Sequence, residues 1–179
     1  MTTPFTTRWA TAADLETLRA LMARSIDTLQ SGFLTPRQVV ASRQVMGLDT
    51  QLVADGTYLV VEEGAVAVGC GGWSRRATLY GGDHSTDLRD PVLLDPTRDA
   101  ARIRAMYTDP AHARRGIGRL ILDRCERAAA DAGFAEVELM ATASGRPLYL
   151  ACGYRDIAPG DADVGGITVP LTRMRKALA

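Results

Sequence analysis

The sequence predicts a mixed α/β (α+β) fold in which one parallel βαβ crossover is joined to antiparallel hairpins. Two stretches carry that prediction. "ARIRAMYT" alternates as a strand, an apolar face at helical spacing begins at Gly116, and "FAEVELMAT" reads as a strand again. A strand, helix and strand so arranged make the two strands parallel neighbours. Ahead of them, "TYLVVEEGAVAVGCGGW" holds two β-rich runs around Glu62, Glu63 and Gly64, the pattern of an antiparallel hairpin.

The remaining elements follow in order. Residues 6–10 read as a short strand. Thr11 with Asp14 three places on makes a capping box before Leu15, Leu18, Met22, Ile26 and Leu29, an amphipathic helix. "QSGFLT" is a loop. A second helix starts at Thr35 with Pro36 in its first turn and fades near Gly47. After the hairpin, residues 75–100 carry glycine, proline and alternating charge without sustained period, so a long loop is expected, with a short strand at Ala77 to Tyr80; loops of that length tend to be functional. From Ile117 the positions Leu120, Ile121, Cys125, Ala128, Ala129 and Ala132 form one face, and Gly133 is a natural stop. Ser144 is expected to cap a short helix that ends at Cys152 and Gly153, and strands near 154–158 and 166–174 complete the order.

With 179 residues, 46% of them hydrophobic, the chain can bury one sizeable core, and a single domain over 1–179 is expected. Lys plus Arg and Asp plus Glu balance at 21 each, so no overall field draws nucleic acid or an anionic membrane, and neither is expected as a partner. Any anion site must be local. Cys70, Cys125 and Cys152 are odd in number and far apart, with no metal-ligand spacing, so no metal site is expected. The N-terminal residues lack the pattern of a secretory signal, and no apolar run reaches membrane-spanning length. These features predict a cytoplasmic protein.

The loop "DPAHARRGIGRLIL" is the most informative stretch. A helix N-terminus leaves its first N–H groups unpaired and carries about half a positive charge. Gly116 and Gly118 let an anion approach the backbone around Ile117, while Arg114, Arg115 and Arg119 add formal charge; a pyrophosphate suits this description. The dinucleotide fingerprint GxGxxG fails because its third glycine place is Ile121, and a P-loop sequence occurs nowhere. "GGDHS" and the neighbouring Asp83, His84 and Asp87 read as a solvated polar run. Arg75 and Arg76 read as a solvated face, with contact to an acidic substrate as the alternative. Cys125 lies on an apolar helix face and reads as core.

"RRGIGRLIL", with the strand before it and "RPLYLACGY" after it, resembles the GCN5-related N-acetyltransferase family, and the order of elements agrees along nearly the whole chain. The resemblance implies a mostly antiparallel twisted sheet with a central βαβ crossover and splayed parallel strands, flanked by about four helices. It implies acetyl-CoA as acyl donor, its pyrophosphate on the backbone of the loop and its pantetheine arm along Met106, Tyr107 and Thr108. In the family the loop opens on Gln or Arg; here that place is Ala113. Tyr149 falls on the family's usual general acid. The family's strand glutamate has no counterpart, since "ARIRAMYT" offers only Arg102 and Arg104; Glu138 is the substitute base, with Glu136 on the same side by strand alternation, and water chains alone would also serve.

These residues predict direct acetyl transfer to a primary amine of a small molecule or protein in a ternary complex, with Phe33, Trp73, Tyr80 and the 75–100 loop shaping the acceptor side. A homodimer is admissible. A non-catalytic acyl-CoA-binding module of the same fold is the alternative, kept open by Ala113 and by the missing strand glutamate, and a covalent acetyl-Cys152 is a minor route.

Overall fold

A computed structural model describes residues 4–179. Seven strands form one sheet in the order β1-β2-β3-β4-β5-β9-β6, and β7 (Ala162–Val164) and β8 (Ile167–Val169) form a separate ribbon. The strands of the sheet are β1 (Phe5–Trp9), β2 (Tyr58–Glu63), β3 (Val66–Ser74), β4 (Ala101–Thr108), β5 (Glu136–Thr142), β6 (Arg155–Pro159) and β9 (Leu171–Ala177). Only β4 and β5 run parallel; every other adjacent pair is antiparallel. This is the mixed, mostly antiparallel fold that the sequence predicts.

Among the described residues five α-helices accompany the sheet: α1 (Leu15–Leu29), α2 (Pro36–Val45), α3 (Thr50–Ala54), α4 (Ile117–Asp131) and α5 (Arg146–Ala151). The "YLVV" run of β2 is buried at every residue because both faces of the sheet are covered. Leu59 and Val61 join the cluster of Ile121, Leu122 and Cys125 from α4; Tyr58 and Val60 join Leu18, Leu21 and Met22 from α1. Alternation along one strand thus feeds two cores, and the two long helices seal them.

Local chemistry sets the boundaries. Asp14 accepts from the Thr11 N–H at 2.7 Å ahead of α1, and Thr35 Oγ1 accepts from the Gln38 N–H at 3.3 Å at the start of α2. The sequence reading passes over α3, whose five residues are too few to display a period; its signal is Asp49, which accepts from the Gln51 N–H at 3.0 Å. Ser144 does not cap α5. The N-cap is Gly145, and the Thr142 hydroxyl accepts from its N–H at 3.1 Å.

The 75–100 segment is a loop, as expected, but it folds back on itself. Ala77 N donates to Val92 O at 2.9 Å and Leu94 N to Arg75 O at 2.7 Å. No strand forms at 77–80 among the described residues; a single bridge joins Arg76 to Leu93. Nor is its polar run merely solvated. His84 Nε2 lies 2.7 Å from Arg43 O and Ser85 Oγ donates to Gln44 O at 2.7 Å, which satisfies carbonyls at the end of α2. Asp83 accepts from the Thr50 N–H at 2.9 Å and from Arg89 at 2.5 Å. Arg76 is likewise held, its Nε donating to Asp55 at 2.7 Å.

Candidate active site

The parallel pair β4 and β5 is in register only at Ala101 with Val137 and at Arg102 with Glu138; beyond these residues the strands diverge. A bulge bends β4. Its register against β3 slips between Arg104, opposite Gly72, and Tyr107, opposite Cys70, and Ala105 sits at φ 49°. A left-handed alanine costs on the order of 1–2 kcal/mol; here the buried Tyr58 hydroxyl donates to the Ala105 carbonyl at 2.7 Å and holds the kink. Past the bulge, Asp109 N donates to Val68 O at 2.9 Å. Thr108, opposite Gly69, therefore stands in the non-hydrogen-bonded place, with its N–H and C=O turned from β3 toward the diverging edge.

The divergence opens a cavity of about 770 Å³. At one end lies the N-terminus of α4. Gly116 is its N-cap at φ 86°, Arg114 precedes it at φ 62°, no side chain caps the helix, and the first backbone bond closes only at Leu120 N to Gly116 O, 3.0 Å. The N–H groups of Ile117, Gly118 and Arg119 are thus left for a ligand, and an anion is the group they favour. Gly118 answers to packing as well: a Cβ there would fall 2.5 Å from Leu148 Cδ2.

Met106, Tyr107, Thr108, Arg114, Gly116, Ile117, Gly118 and Arg119 all line the cavity, and so does Ala113. Arg115 does not. Its guanidinium pairs with Glu63 at 2.6 Å and stacks 4.9 Å above the Phe5 ring, on the far side of the loop. Tyr107 contributes its ring to the core and its hydroxyl as an acceptor from Gly47 N at 2.9 Å.

Tyr149 also lines the cavity. Its ring meets Tyr154 edge to face at 5.7 Å, and its hydroxyl makes no hydrogen bond among the described residues. Burial pushes its pKa well above the ordinary phenol value. The site therefore keeps this phenol protonated, the state that a proton donor needs.

Glu138 lies elsewhere. Fully buried at the vertex where β4 leaves β5, it accepts from Arg102 at 2.9 Å, from Arg173 at 2.5 Å and from Arg175, and it does not line the cavity. Burial would raise its pKa, but the hydrogen bonds of Arg173 and Arg175 and the charge of Arg102 outweigh it and hold the carboxyl below its ordinary value. A carboxylate held ionised by three guanidiniums is a poor proton acceptor, and the same contacts tie β4, β5 and β9 together at Glu138. Glu136 joins it, 3.4 Å from Arg175.

Phe33, Tyr80 and Gly81, from the segments that the sequence reading gives to the acceptor side, also line the cavity. Trp73 does not; it is core, edge to face with Phe134 at 6.3 Å. Ser25 and Gln30, both buried, line the cavity too; the sequence reading gives Ser25 no role and places Gln30 at the start of the loop "QSGFLT". For Gln30 a signal was available: Leu18, Met22, Ile26 and Gln30 recur at four-residue spacing, which puts an amide at the C-cap of α1 in line with its apolar stripe. Among the described residues no cluster of His, Cys, Asp or Glu could hold a metal, and no helix is long and apolar enough to cross a membrane.

Comparison with known proteins agrees with this architecture. A GCN5-related N-acetyltransferase from Rhodopseudomonas palustris superposes with a TM-score of 0.73 at 19% identity, over 99% of this chain and 98% of that one. PaiA N-acetyltransferase from Thermoplasma acidophilum, solved with coenzyme A, gives 0.64 at 14% identity over 97% and 99% of the two chains. YncA from Salmonella typhimurium, solved with its cofactor acetyl-CoA, gives 0.64 at 19% identity over 98% and 94%. No protein of curated function matches the sequence. The family model for the acetyltransferase (GNAT) domain matches residues 54–156, more than half of the chain and the span from β2 to α5 that includes β4, the α4 N-terminus and Tyr149, so the chain belongs to the GNAT acetyltransferase family.

Proposed function

We propose that the chain works as one N-acetyltransferase domain that moves an acetyl group from acetyl-CoA to a primary amine in a ternary complex. One observation carries this reading: the uncapped N-terminus of α4, flanked by Arg114 and Arg119, opens into the same cavity as the Tyr149 hydroxyl and the free edge of β4. The pyrophosphate of acetyl-CoA fits the helix terminus, and its pantetheine arm fits the outward backbone groups around Thr108, added as a strand would be. The relatives solved with coenzyme A or acetyl-CoA support the same donor.

In this reading the neutral amine attacks the thioester carbonyl with its lone pair, forming the C–N bond. The C–S bond then breaks with its electrons on sulfur, which takes the Tyr149 proton, and the surplus proton on nitrogen returns through water to the tyrosinate. The sum is an amide and free coenzyme A thiol. Proton transfer from a positioned acid contributes roughly 10² to 10⁴ in rate, and alignment of the two substrates supplies more. No carboxylate lines the cavity among the described residues, so the base is solvent water and the amine reacts as its free base. The unpaired thiols of Cys70, Cys125 and Cys152 suit a reducing cytoplasm.

Release of free thiol from acetyl-CoA across a panel of amines tests the reading, together with titration of acetyl-CoA against ATP and NAD. Thiol release with an amine, and binding of acetyl-CoA alone among the three, is expected. Tight binding without turnover on any amine selects the non-catalytic acyl-CoA-binding module instead, the reading that Ala113 and the absence of a carboxylate among the described lining residues favour.

A further inference from the structure

Arg104 is a buried cation with no part in the acetyl transfer set out above. It stands on β4 just before the bulge at Ala105, is 3% exposed, and pairs with the similarly buried Asp49 at 3.0 Å. Its fork does more than meet that carboxylate. Nη2 also donates to Gly81 O at 2.7 Å, and Nη1 donates to Thr78 O at 3.2 Å. One guanidinium thus grips the two carbonyls that bracket Leu79 and Tyr80, a geometry suited to a planar fork and not to an ammonium.

The grip is anchored from behind. Asp49 is the N-cap of α3, and it accepts from Arg89 at 2.9 Å as well as from Arg104. Asp83 N donates to Leu48 O at 2.9 Å, and Gly82 passes so close that a Cβ there would fall 2.8 Å from Leu48 O. The 78–83 segment is therefore fixed at both ends although it lies in a loop. A buried ion pair adds little net stability over apolar packing, so the use of this one is geometric.

What the grip presents is Tyr80. Leu79, Tyr80 and Gly81 line the cavity. Tyr80 packs on the cluster of Val45 and Leu171, with Met46 and Met140, whereas Ile117 of the α4 N-terminus and Tyr149 belong to another cluster. All of these residues line the one cavity, so Tyr80 is part of a wall distinct from that of the α4 N-terminus.

We propose that Arg104, seated on Asp49, is a positioning residue for the acceptor amine: it holds Thr78 and Gly81 so that the Tyr80 ring packs against the acceptor. Tyr80 is then a specificity-determining residue that touches the amine's substituent, and Arg104 acts through it. This rests on the acetyl-transfer reading above and deepens it on the acceptor side.

The test is a double-mutant cycle on thiol release, with 2-phenylethylamine, spermidine and L-glutamate as probe amines, in the wild type, Tyr80→Ala, Arg104→Lys and the double variant. For the amine with the highest kcat/KM, each single substitution is expected to raise KM roughly fivefold to tenfold, with kcat and the acetyl-CoA Kd within about twofold. The double variant should raise KM no further than the larger single effect, because with the ring gone nothing is left to position. Losses of kcat and acetyl-CoA affinity in Arg104→Lys that persist undiminished in the Tyr80→Ala background mark a merely structural pair and overturn the proposal. An unmoved KM in either single variant also overturns it, while leaving acetyl transfer intact. If Arg104→Lys does not fold, Asp49→Asn, which keeps an N-cap for α3 and removes the anchoring charge, replaces it in the cycle. Failure of both to fold makes the pair structural and overturns the proposal. Failure to bind acetyl-CoA, or to release thiol with any amine, overturns the acetyl-transfer reading and this one with it.

Discussion

Gly118 of α4 lies so close under Leu148 of α5 that a Cβ on the glycine would stand 2.5 Å from Leu148 Cδ2. The helix whose unpaired N–H groups open into the cavity is thereby packed against the helix that carries Tyr149. Gly118→Ala is expected to push Leu148 aside and weaken acetyl-CoA binding about tenfold, with kcat falling as Tyr149 is displaced. Because the obstacle is one side chain, Leu148→Ala in the same molecule should restore most of the affinity. Isothermal titration of the single and double variants checks this; an unrestored double variant would place the fault in the helix terminus itself.

The three arginines of the loop are not equivalent. Arg114 and Arg119 line the cavity, whereas Arg115 is spent on Glu63 and Phe5. Removing either lining charge, as in Arg114→Gln or Arg119→Gln, should cost about 1 kcal/mol of acetyl-CoA binding, roughly fivefold in Kd. Arg115→Gln should leave Kd within about twofold. Equal losses in all three would show that the loop acts as a diffuse positive patch.

That contrast shows what a sequence can disclose. The βαβ crossover, the glycine-marked turn at Gly116 and the strand at 101–108 rest on local periodicity and local backbone conformation, so their positions were legible from the chain alone. Arg115 and Arg114 are adjacent and chemically identical; which one faces the cavity depends on Glu63, 52 residues upstream. Glu138 had the right alternation for a site residue, yet its partners Arg173 and Arg175 arrive from β9 and make it a lock. Gln30 follows α1 in line with its apolar stripe, but only the folded chain shows that it is buried and that its Oε1 has no hydrogen-bond partner among the described residues. Long-range pairing decides whether a charged or polar side chain is free for function, and no short-range pattern reports it.

Glu138 ties β4, β5 and β9 together at the vertex of the divergence, through Arg102, Arg173 and Arg175. Glu138→Gln leaves three guanidiniums without their carboxylate, and since Arg173 and Arg175 are partly solvated the loss should be near the low end for a broken buried pair, about 3 kcal/mol. That is roughly 6–12 °C in Tm for a chain of this size. The folded carboxyl sits below its ordinary value of 4.5, so the native state binds fewer protons than the unfolded one near that pH. The stabilisation is therefore complete above about pH 4.5 and is lost as the pH falls through the folded pKa. Calorimetry from pH 3 to 8 should show the gap between wild type and variant close in acid, while turnover per folded molecule stays near wild type. A specific loss of kcat in folded protein would return Glu138 to the chemistry.

Tyr149 has the opposite shift and a different pH signature. Burial raises its pKa above the ordinary value of 10, so the phenol stays protonated throughout the working range and its titration adds no falling limb to the rate profile there. With no lining carboxylate or histidine among the described residues to act as base, the rising limb belongs to the acceptor. For an alkyl amine of pKa near 10, kcat/KM should climb about tenfold per pH unit from pH 6 to 9 without an inflection between 5 and 7. Replacing the amine by one of lower basicity should move the plateau down to that amine's own pKa, which an enzymic base would not do. Tyr149→Phe should lower kcat by roughly 10² to 10³ at every pH and leave both the slope and the acetyl-CoA affinity in place. An inflection near pH 6 in the wild type that vanishes in Tyr149→Phe would instead make the tyrosine part of a coupled base, and an unchanged kcat would remove it as the acid.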